Sequence, residues 1–594
     1  MDKRTIIGIV LIVVITLLMP LYQRWIAGDR PPREPVDVQD TLITTRDTTP
    51  ALPEVKEEML SEIPVTDTAR QDIQTPAVQE GGEIKTIHIE NNVVAFSWST
   101  ADGGNPTSWE LLNYKSFRGG NVDLIRENSL QINFLNSDGR EFNLNDYNLY
   151  SNFMNGQQVS LTPERPEYEI TFYLPVREGR IEKIVRFYYN RYSFDLIVQF
   201  RNLQNYVINR KYFVGWKKGL PSTEANISDD LSYSRAYTYM AEELINMDAS
   251  DKYAEEDFNG RVDWAAIRTK YFLLSLIPSE PAQTNGATIG GVKHEDKIRP
   301  EKEFNITIDS RYEPVALYSD TFKVYLGPLD YYILNKYDVE LESLVMNKDW
   351  YERLFRPISL LIIPAFKFLH RFIPNYGLVI IVFSILIKLV LHPLTKKSYQ
   401  SMSEMQYLQP KMTEMREKYK DDPQRMNKEM MKLYKEHGVN PLGGCLPMLL
   451  QMPVLFALFI VFRSTIQLRG QPFALWIDDL SGPDTLNLGF SLPFFGDSIH
   501  VLPILMGITM IWQSKMSMTD PKQKLMIYFM PIFMIFIFYS LPSGLNLYYA
   551  VFNLLSMAQT RYIKKKTHPG NGGSEQPAEV STPARQGKPR RKKK

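Results

Sequence analysis

Lys388 has the most informative chemistry in the sequence, because it is a basic residue inside the apolar run from Tyr376 to His392. An ammonium group in such a run costs about 2.5–3.5 kcal/mol on membrane-insertion scales, so it requires water or a polar partner. At helical spacing Ser384, Lys388 and His392 share one face, and Pro393 is expected to end the helix. The pattern favours a hydrated polar face. The alternative is that the long side chain of Lys388 extends to the nearby helix end and places its charge at the membrane surface.

Polar residues also interrupt the later apolar segments. Burying such groups in hydrocarbon is costly unless hydrogen bonds satisfy them. Hydrogen bonds between helices would account for any one of them, but a lysine together with several polar faces favours a groove that holds water. The residues predicted to line this groove are Lys388, Ser384, His392, Gln451, Thr509, Gln513, Asn546, Tyr549 and Asn553, and the face of the last segment continues with Ser556 and Thr560.

The apolar segments predict a protein that crosses the membrane six times. Residues 1–27 combine Lys3 and Arg4 with a long apolar run and contain no small-residue cleavage site, which indicates an uncleaved transmembrane anchor. Five further spans are predicted at Tyr376–His392, Leu446–Phe462, Ile499–Trp512, Met526–Leu541 and Gly544–Gln559.

The distribution of basic residues predicts the orientation of these spans. The loop after the second span carries ten lysines and arginines between Lys396 and Lys435, whereas the next loop carries only Arg463 and Arg469. Residues 563–594 form a strongly basic tail, although the formal net charge of the whole chain is only +1. Because basic loops are retained in the cytoplasm, both termini are expected there.

Residues 349–373 are an ambiguous segment. Their central apolar run is too short to span a bilayer, and Arg356, Lys367, His370 and Arg371 recur near the helical period. This pattern predicts an amphipathic helix that lies at the membrane surface. The alternative, an additional span, would place the basic loops on the outside.

The regions before this helix are polar or β-rich. Residues 28–82 are rich in Pro, Thr, Asp and Glu, which predicts a disordered extracytoplasmic linker. Residues 83–348 alternate β-branched and aromatic residues with polar ones between turns, which predicts a large β-sandwich. The predicted fold class is therefore an α-helical polytopic membrane protein, with an N-terminal anchor and a helical core at residues 374–562, that carries a large all-β extracytoplasmic domain.

Residues 396–438 predict a cytoplasmic helical hairpin. Asp422 is a potential helix cap, Pro423 suits a first helical turn, and Gly438 suits a helix end. Methionine-rich faces adapt to varied apolar partners. Capture of a polypeptide partner is therefore assigned to Met402, Met405, Met412 and Met415. Packing of the two hairpin helices against each other is an equal alternative for the methionines, and it does not exclude capture.

The sequence contains no arrangement typical of covalent catalysis. It has no glycine-rich phosphate loop, no pair of histidines at metal-ligand spacing and no serine in a nucleophile elbow. Cys445 is the only cysteine, so no disulfide can form within the chain. The protein is therefore predicted not to be an enzyme and to require neither a cofactor nor a small-molecule substrate. The basic tail suits a polyanion, either the lipid bilayer surface or ribosomal RNA.

A series of motifs runs in order through the helical part of the chain. They are His392-Pro-Leu-Thr, Leu408-Gln-Pro-Lys, Val439-Asn-Pro-Leu-Gly-Gly-Cys-Leu-Pro, Gln451-Met-Pro, Pro472-Phe-Ala-Leu-Trp-Ile-Asp-Asp-Leu, Leu502-Pro-Ile-Leu-Met-Gly and Leu541-Pro-Ser-Gly-Leu-Asn-Leu-Tyr-Tyr. These motifs resemble the YidC family of bacterial membrane protein insertases. Gly103-Gly, Trp264-Ala-Ala-Ile-Arg-Thr-Lys-Tyr-Phe and Leu326-Gly-Pro resemble, less specifically, the outer domain of the long, Gram-negative type.

The resemblance implies a five-helix core whose groove is open to the cytoplasm and the lipid and closed on the outside. It implies that nascent membrane proteins are inserted into the cell inner membrane, alone or with the Sec translocon, and it makes the ribosome a candidate partner of the tail. The outer domain is implied to be a β-supersandwich related to sugar mutarotases. The family's groove charge is usually an arginine, and the matching residue is Lys388, which keeps the charge but lacks the guanidinium fork.

Two other functions are compatible with parts of the sequence. A solute or proton transporter could use Lys388, although the paired interrupted helices of such proteins are absent from the pattern and the cytoplasmic hairpin would be unexplained. A carbohydrate-binding or epimerising outer domain would require a cleft with acid and base groups, which the sequence does not display.

Overall fold

The structure is a computed structural model of the chain, and it describes residues 81–127, 129–295, 299–346, 350–439, 446–492, 496–517 and 524–567. Within these ranges a β-rich domain precedes a helical region, as predicted. The predicted anchor, nearly all of the predicted linker, Cys445 and most of the basic tail lie outside the described residues.

Among its described residues the β-rich domain contains twenty strands and two short α-helices. The strands are β1 Thr86–Glu90, β2 Val94–Ser99, β3 Pro106–Lys115, β4 Asn121–Asp123, β5 Leu130–Asn136, β6 Glu141–Asn143, β7 Tyr150–Ser151, β8 Gln157–Ser160, β9 Glu167–Val176, β10 Gly179–Tyr188, β11 Ser193–Arg201, β12 Val207–Trp216, β13 Arg235–Met240, β14 Glu243–Met247, β15 Ala254–Asn259, β16 Val262–Arg268, β17 Phe272–Pro278, β18 Thr284–His294, β19 Glu301–Arg311 and β20 Leu317–Pro328. The helices are α1 Ile227–Tyr233 and α2 Tyr331–Leu334.

The alternating pattern of the sequence determines which side chains form the core of this domain. Successive residues of a strand point to opposite faces, and in β11 the side chains of Phe194, Leu196, Val198 and Phe200 are fully buried while the residues between them are half-buried. Alternation of this kind fixes the register, because a slip by one residue would expose the whole apolar face.

The strands form three large sheets around one aromatic core. Their orders are β4-β3-β2-β1-β8, β14-β13-β16-β17-β20-β11-β10-β9-β7 and β15-β18-β19-β12-β5-β6. The nine-stranded sheet packs against both of the others. Phe187 in β10 lies 4.4 Å from Phe96 in β2, and Phe200 in β11 lies 5.3 Å from Tyr212 in β12, measured between ring centroids.

The helical region contains eight further helices and a β-hairpin among the described residues. They are α3 Trp350–His370, α4 Tyr376–Tyr407, α5 Gln409–Lys418, α6 Pro423–Glu436, α7 Leu446–Ser464, β21 Leu486–Leu492, β22 Gly496–Ile499, α8 Val501–Ser517, α9 Lys524–Phe538 and α10 Ser543–Thr567. Among the described helices, α4 alone is long and apolar enough to cross a membrane. Shorter apolar helical stretches occur at Gln451–Ser464, Val501–Met516 and Ile527–Phe538.

The prediction that Pro393 ends its helix is wrong. Helix α4 contains Pro393 and continues for fourteen residues beyond it, to Tyr407. A proline removes one backbone hydrogen bond of the helix, but Lys388 contacts α10 before the proline and Tyr399 packs against α10 after it. Packing along a neighbouring helix on both sides of the proline therefore outweighs the local loss.

Helix α3 is amphipathic, but two of its basic residues bind the β-rich domain. The guanidinium group of Arg356 donates to the carbonyl oxygen of Glu342 at 3.0 Å, and the ammonium group of Lys367 lies 3.4 Å from the Asp330 carboxylate. The opposite face suits contact with lipid, because its exposed side chains are large and apolar. They are Trp350, Leu354, Ile358, Leu361 and Phe368.

The hairpin predicted for residues 396–438 has the expected local signals. The Asp422 side chain accepts from the backbone N–H of Arg425 at 3.0 Å, and Pro423 is the first residue of α6. Gly438 adopts a φ of 64°, in the left-handed region that favours glycine at a helix end. These three predictions are confirmed. The first arm of the hairpin consists of the end of α4 followed by α5, which has Pro410 in its first turn.

Candidate functional site

The candidate site centres on Lys388, which lies in α4 and is only 9% exposed. Its ammonium group donates to the hydroxyl oxygen of Ser556 in α10 at 2.7 Å and to that of Tyr399 at 3.3 Å. The same group lies 4.3 Å from the ring centroid of Phe552, in cation–π contact. Within the described part of the chain Lys388 forms no ion pair, so its partners are two hydroxyls and aromatic rings.

The continuity of α4 explains how Tyr399 reaches Lys388. Eleven residues are close to three full turns, so the two side chains share a face. Helical side chains lean toward the N-terminus, which brings the Tyr399 hydroxyl back toward the lysine. Lys388 extends toward the helix end, as the alternative interpretation requires, but its charge meets hydroxyl groups inside the protein instead of reaching the surface.

Further hydrogen bonds join α10 to its neighbours on either side. The Asn553 amide donates to the hydroxyl oxygen of Thr509 in α8 at 3.2 Å, and both side chains are buried. The Gln559 amide and the His392 ring of α4 lie 2.9 Å apart. Together with Ser556 these contacts form a polar line along α10 at helical spacing, between α8 and α4.

The other predicted groove residues lie near this line but contact different groups. Ser384 is fully buried and donates to a backbone carbonyl of its own helix. Asn546 donates to two carbonyls at the turn between α9 and α10, so it fastens that turn. Tyr549 contacts two aromatic rings edge-on. Gln451 in α7 and Gln513 in α8 are half-buried.

Known proteins share both halves of this architecture. The family described as 60Kd inner membrane protein matches residues 368–570, and the YidC periplasmic domain matches residues 86–357. The membrane protein insertase YidC of Prosthecochloris aestuarii is 35% identical over 95% of this chain and 95% of its own length. That of Pelodictyon phaeoclathratiforme is 36% identical over 87% of this chain and 91% of its own. The chain belongs to the YidC membrane protein insertase family.

Membership confirms the resemblance that the sequence motifs predict. The β-rich domain is a YidC periplasmic domain, and the helical region is the part that matches the inner membrane protein family. The chain is also similar to a solved active YidC insertase with its first transmembrane domain resolved. The match covers 82% of this chain and 95% of the solved chain, with 20% identity and a TM-score of 0.35.

Of the four methionines assigned to capture in this YidC family member, two are buried and two are half-buried. Met412 is buried in the core of the hairpin, and Met405 and Met415 pack partly buried against the same core. Met402 is buried with Tyr399 and Ile563, in a cluster between α4 and α10. Met405, Met412 and Met415 therefore pack the hairpin together, and Met402 joins it to α10. This packing does not exclude capture of a partner, which stays a prediction.

Sequence reasoning misses Tyr399 and Gln559 as partners in this YidC site. Tyr399 is visible as a partner of Lys388 only if the helix passes through Pro393. Gln559 follows Ser556 by three residues, and its helical phase would have placed it on the polar face. Helical spacing therefore identifies Gln559 from the sequence, whereas Pro393 conceals the spacing that relates Tyr399 to Lys388.

Proposed function

We propose that the protein is a membrane protein insertase and chaperone that acts without covalent chemistry, and that its substrates are nascent membrane proteins. The observation that carries the proposal is the buried Lys388, held by the hydroxyls of Ser556 and Tyr399. A carboxylate partner would hold the ammonium group in a buried ion pair that is costly to break. Hydroxyl partners can be replaced by water or by polar groups of a substrate.

The proposed path for a polar substrate segment is a hydrated groove along the polar line of α10. The core that encloses it would consist of five helices, α4 and α7 to α10, beneath a periplasmic β-supersandwich. An acidic residue of the substrate at about 4 Å from Lys388 would gain roughly 4 kcal/mol at an effective dielectric near 20, before desolvation is subtracted. Apolar substrate segments would leave sideways into the lipid.

Reconstitution of the full-length protein in liposomes tests this function. We expect a short membrane protein with an acidic translocated tail to become protected from added protease when the protein is present. Flux of a small solute without any such protection would favour the transporter alternative and contradict the proposal.

The proposed topology has six spans, with both termini in the cytoplasm and the β-rich domain outside. In a Cys445→Ser background, Gln424→Cys in α6 and Thr485→Cys before β21 should react with an impermeant thiol reagent from opposite sides of the membrane. Both side chains are exposed, so neither site needs the protein to open. Reaction of Gln424→Cys from the outside would contradict the topology and remove the cytoplasmic hairpin.

The proposed partners are the Sec translocon and, through the basic tail, the ribosome. Deletion of residues 568–594 should leave the fold intact, because α10 ends at Thr567 and Ile563 is the last residue of its buried cluster. We expect the deletion to weaken ribosome binding, and the binding of the full chain to fall steeply with salt. Unchanged ribosome binding in detergent would instead assign the tail to lipid.

A further inference from the structure

The segment 465–484, here called the outer loop, follows α7 and contacts the ends of three other helices. The carbonyl oxygen of Phe473 accepts from the Asn375 side chain at the start of α4, at 3.0 Å. The backbone N–H of Gly544 at the start of α10 donates to the carbonyl oxygen of Leu480, also at 3.0 Å. The loop therefore ties these helices together at one end of the core.

The end of the outer loop also begins α8. One carboxylate oxygen of the buried Asp484 accepts from the backbone N–H groups of Val501 and Leu502, at 2.8 and 2.9 Å, and from the Trp476 indole at 3.0 Å. The N–H groups of Val501 and Leu502 lie in the first turn of α8, where a helix offers them no internal partner. With α4, α7 and α10, the loop thus holds four of the five helices proposed to enclose the groove.

The β-rich domain holds this loop through Arg469. The guanidinium group of Arg469 lies 2.8 Å from the Glu224 carboxylate and donates to the carbonyl oxygens of Lys115 and Thr223, at 2.8 and 3.3 Å. Its side chain is 8% exposed and lies over the ring of Phe272, 5.4 Å from the centroid. A planar guanidinium group with several donors suits such a site better than an ammonium group.

A second arginine makes a parallel contact at the end of α7. Arg463 lies 3.1 Å from Asp229, which also pairs with Lys270 at 2.8 Å. Burial opposes ionisation of Asp229, but Lys270 and Arg463 outweigh it and lower the pKa of Asp229 to about 2. An acid with a lowered pKa contributes its stabilisation above its ordinary pKa of 3.8 and loses it only as the pH falls toward the lowered value. The pair is therefore ionised at physiological pH.

These contacts involve the two basic residues between the third and fourth predicted spans. Basic residues are disfavoured in loops on the outside. Between Phe462 and Ile499 the sequence has only Arg463, at the end of α7, and Arg469, in the outer loop. We propose that Arg469, supported by Arg463, is a positioning residue through which the β-rich domain holds the outer loop across the helix ends and so keeps the outer end of the groove shut. The proposal rests on the groove described above.

The test uses full-length protein in which Cys445→Ser and Thr509→Cys place one thiol on the polar line. A small, charged methanethiosulfonate reagent is added from the outside in each of three variants. Arg469→Gln and Glu224→Gln should each raise the labelling rate by about tenfold, and Arg469→Lys by less. Glu224→Gln leaves the loop sequence unchanged, so it decides the case if Arg469→Gln folds poorly. The matched control is Glu169→Gln, which removes the ion pair between Glu169 and Arg186 in β9 and β10.

Hydrogen exchange of the Leu480 and Gly544 amides, which donate to backbone carbonyls at 2.9 and 3.0 Å, reports the loop itself. We expect faster exchange at both amides in Glu224→Gln and unchanged exchange at both in Glu169→Gln. Unchanged exchange overturns the positioning role, and faster exchange with unchanged outside labelling overturns the closure. If Thr509→Cys cannot be labelled from the cytoplasmic side of the otherwise unchanged protein, the proposed groove is wrong. The exchange result still decides the role of Arg469 in that case.

Discussion

Exchange of Lys388 for glutamate should impair insertion of substrates with acidic tails by about tenfold, the equivalent of about 1.4 kcal/mol, relative to substrates with neutral tails. The new carboxylate would repel an acidic tail at the position where the ammonium group now contacts two hydroxyls and aromatic rings. The measurement is protease protection of each inserted substrate, normalised to the amount of folded variant. Normalisation matters because a carboxylate beside the Phe552 ring also loses a cation–π contact.

Two further substitutions separate charge from shape at this position. Lys388→Arg keeps the charge and should retain insertion, whereas Lys388→Met keeps much of the shape and should fall between wild type and Lys388→Glu for acidic tails. If the lysine acted only by placing its charge at the surface, Lys388→Met would insert every substrate normally. Equal efficiency for acidic and neutral tails in all three variants would defeat the attraction of acidic tails and leave the insertase function standing.

The features that the sequence predicts well are those with local causes. Asp422, Pro423 and Gly438 each act within one helical turn, and each adopts the predicted role. The same holds for the alternation of apolar side chains in β11, which follows from the geometry of a single strand. Such signals require no knowledge of what packs against the segment.

The features that the sequence does not predict depend on a distant partner. Pro393 is a local signal for a helix end, but packing of α4 along α10 outweighs it. Because the sequence predicts that the helix ends at Pro393, it does not predict that Tyr399 contacts Lys388. Asn546 has the helical phase of the groove residues, yet it binds the turn before α10, where its amide donates to the carbonyl oxygens of Phe538 and Leu541. Helical spacing predicts which residues share a face of a helix, but it does not predict which groups that face contacts.

The contact between Arg469 and Glu224 is the clearest case. The two residues are 245 positions apart, and each belongs to a different part of the chain. The charge distribution places Arg469 in a predicted outside loop with few basic residues, but it does not show what the side chain contacts. The answer requires the fold of the β-rich domain, which brings a carboxylate, two carbonyl groups and an aromatic ring to one place.

Gly377→Ala should destabilise the protein by about 1–3 kcal/mol, the usual cost of overpacking a well-packed site. A Cβ atom at Gly377 would lie 2.0 Å from the Phe473 ring and 2.7 Å from the Cβ of Phe473. Relief therefore requires displacement of Phe473 together with its backbone. Because Phe473 belongs to the outer loop and Gly377 to the first turn of α4, the substitution should push the loop off that helix. The measurement is thermal unfolding of the full-length protein in detergent, followed by the insertion assay.

Gly507→Ala is the matched control, since a Cβ atom there would also be too close, at 2.3 Å, but to the Cδ1 and Cγ1 atoms of Ile535. The nearest backbone atom is 3.7 Å away, so relief involves one side chain and no backbone, and we expect a smaller loss of stability. Phe473→Ala should offset part of the cost of Gly377→Ala, because it removes the atoms that clash, and residues in contact commonly couple by about 0.5–3 kcal/mol in such a cycle. Strict additivity of the two substitutions would mean that the close contact between α4 and the outer loop does not hold the loop in place.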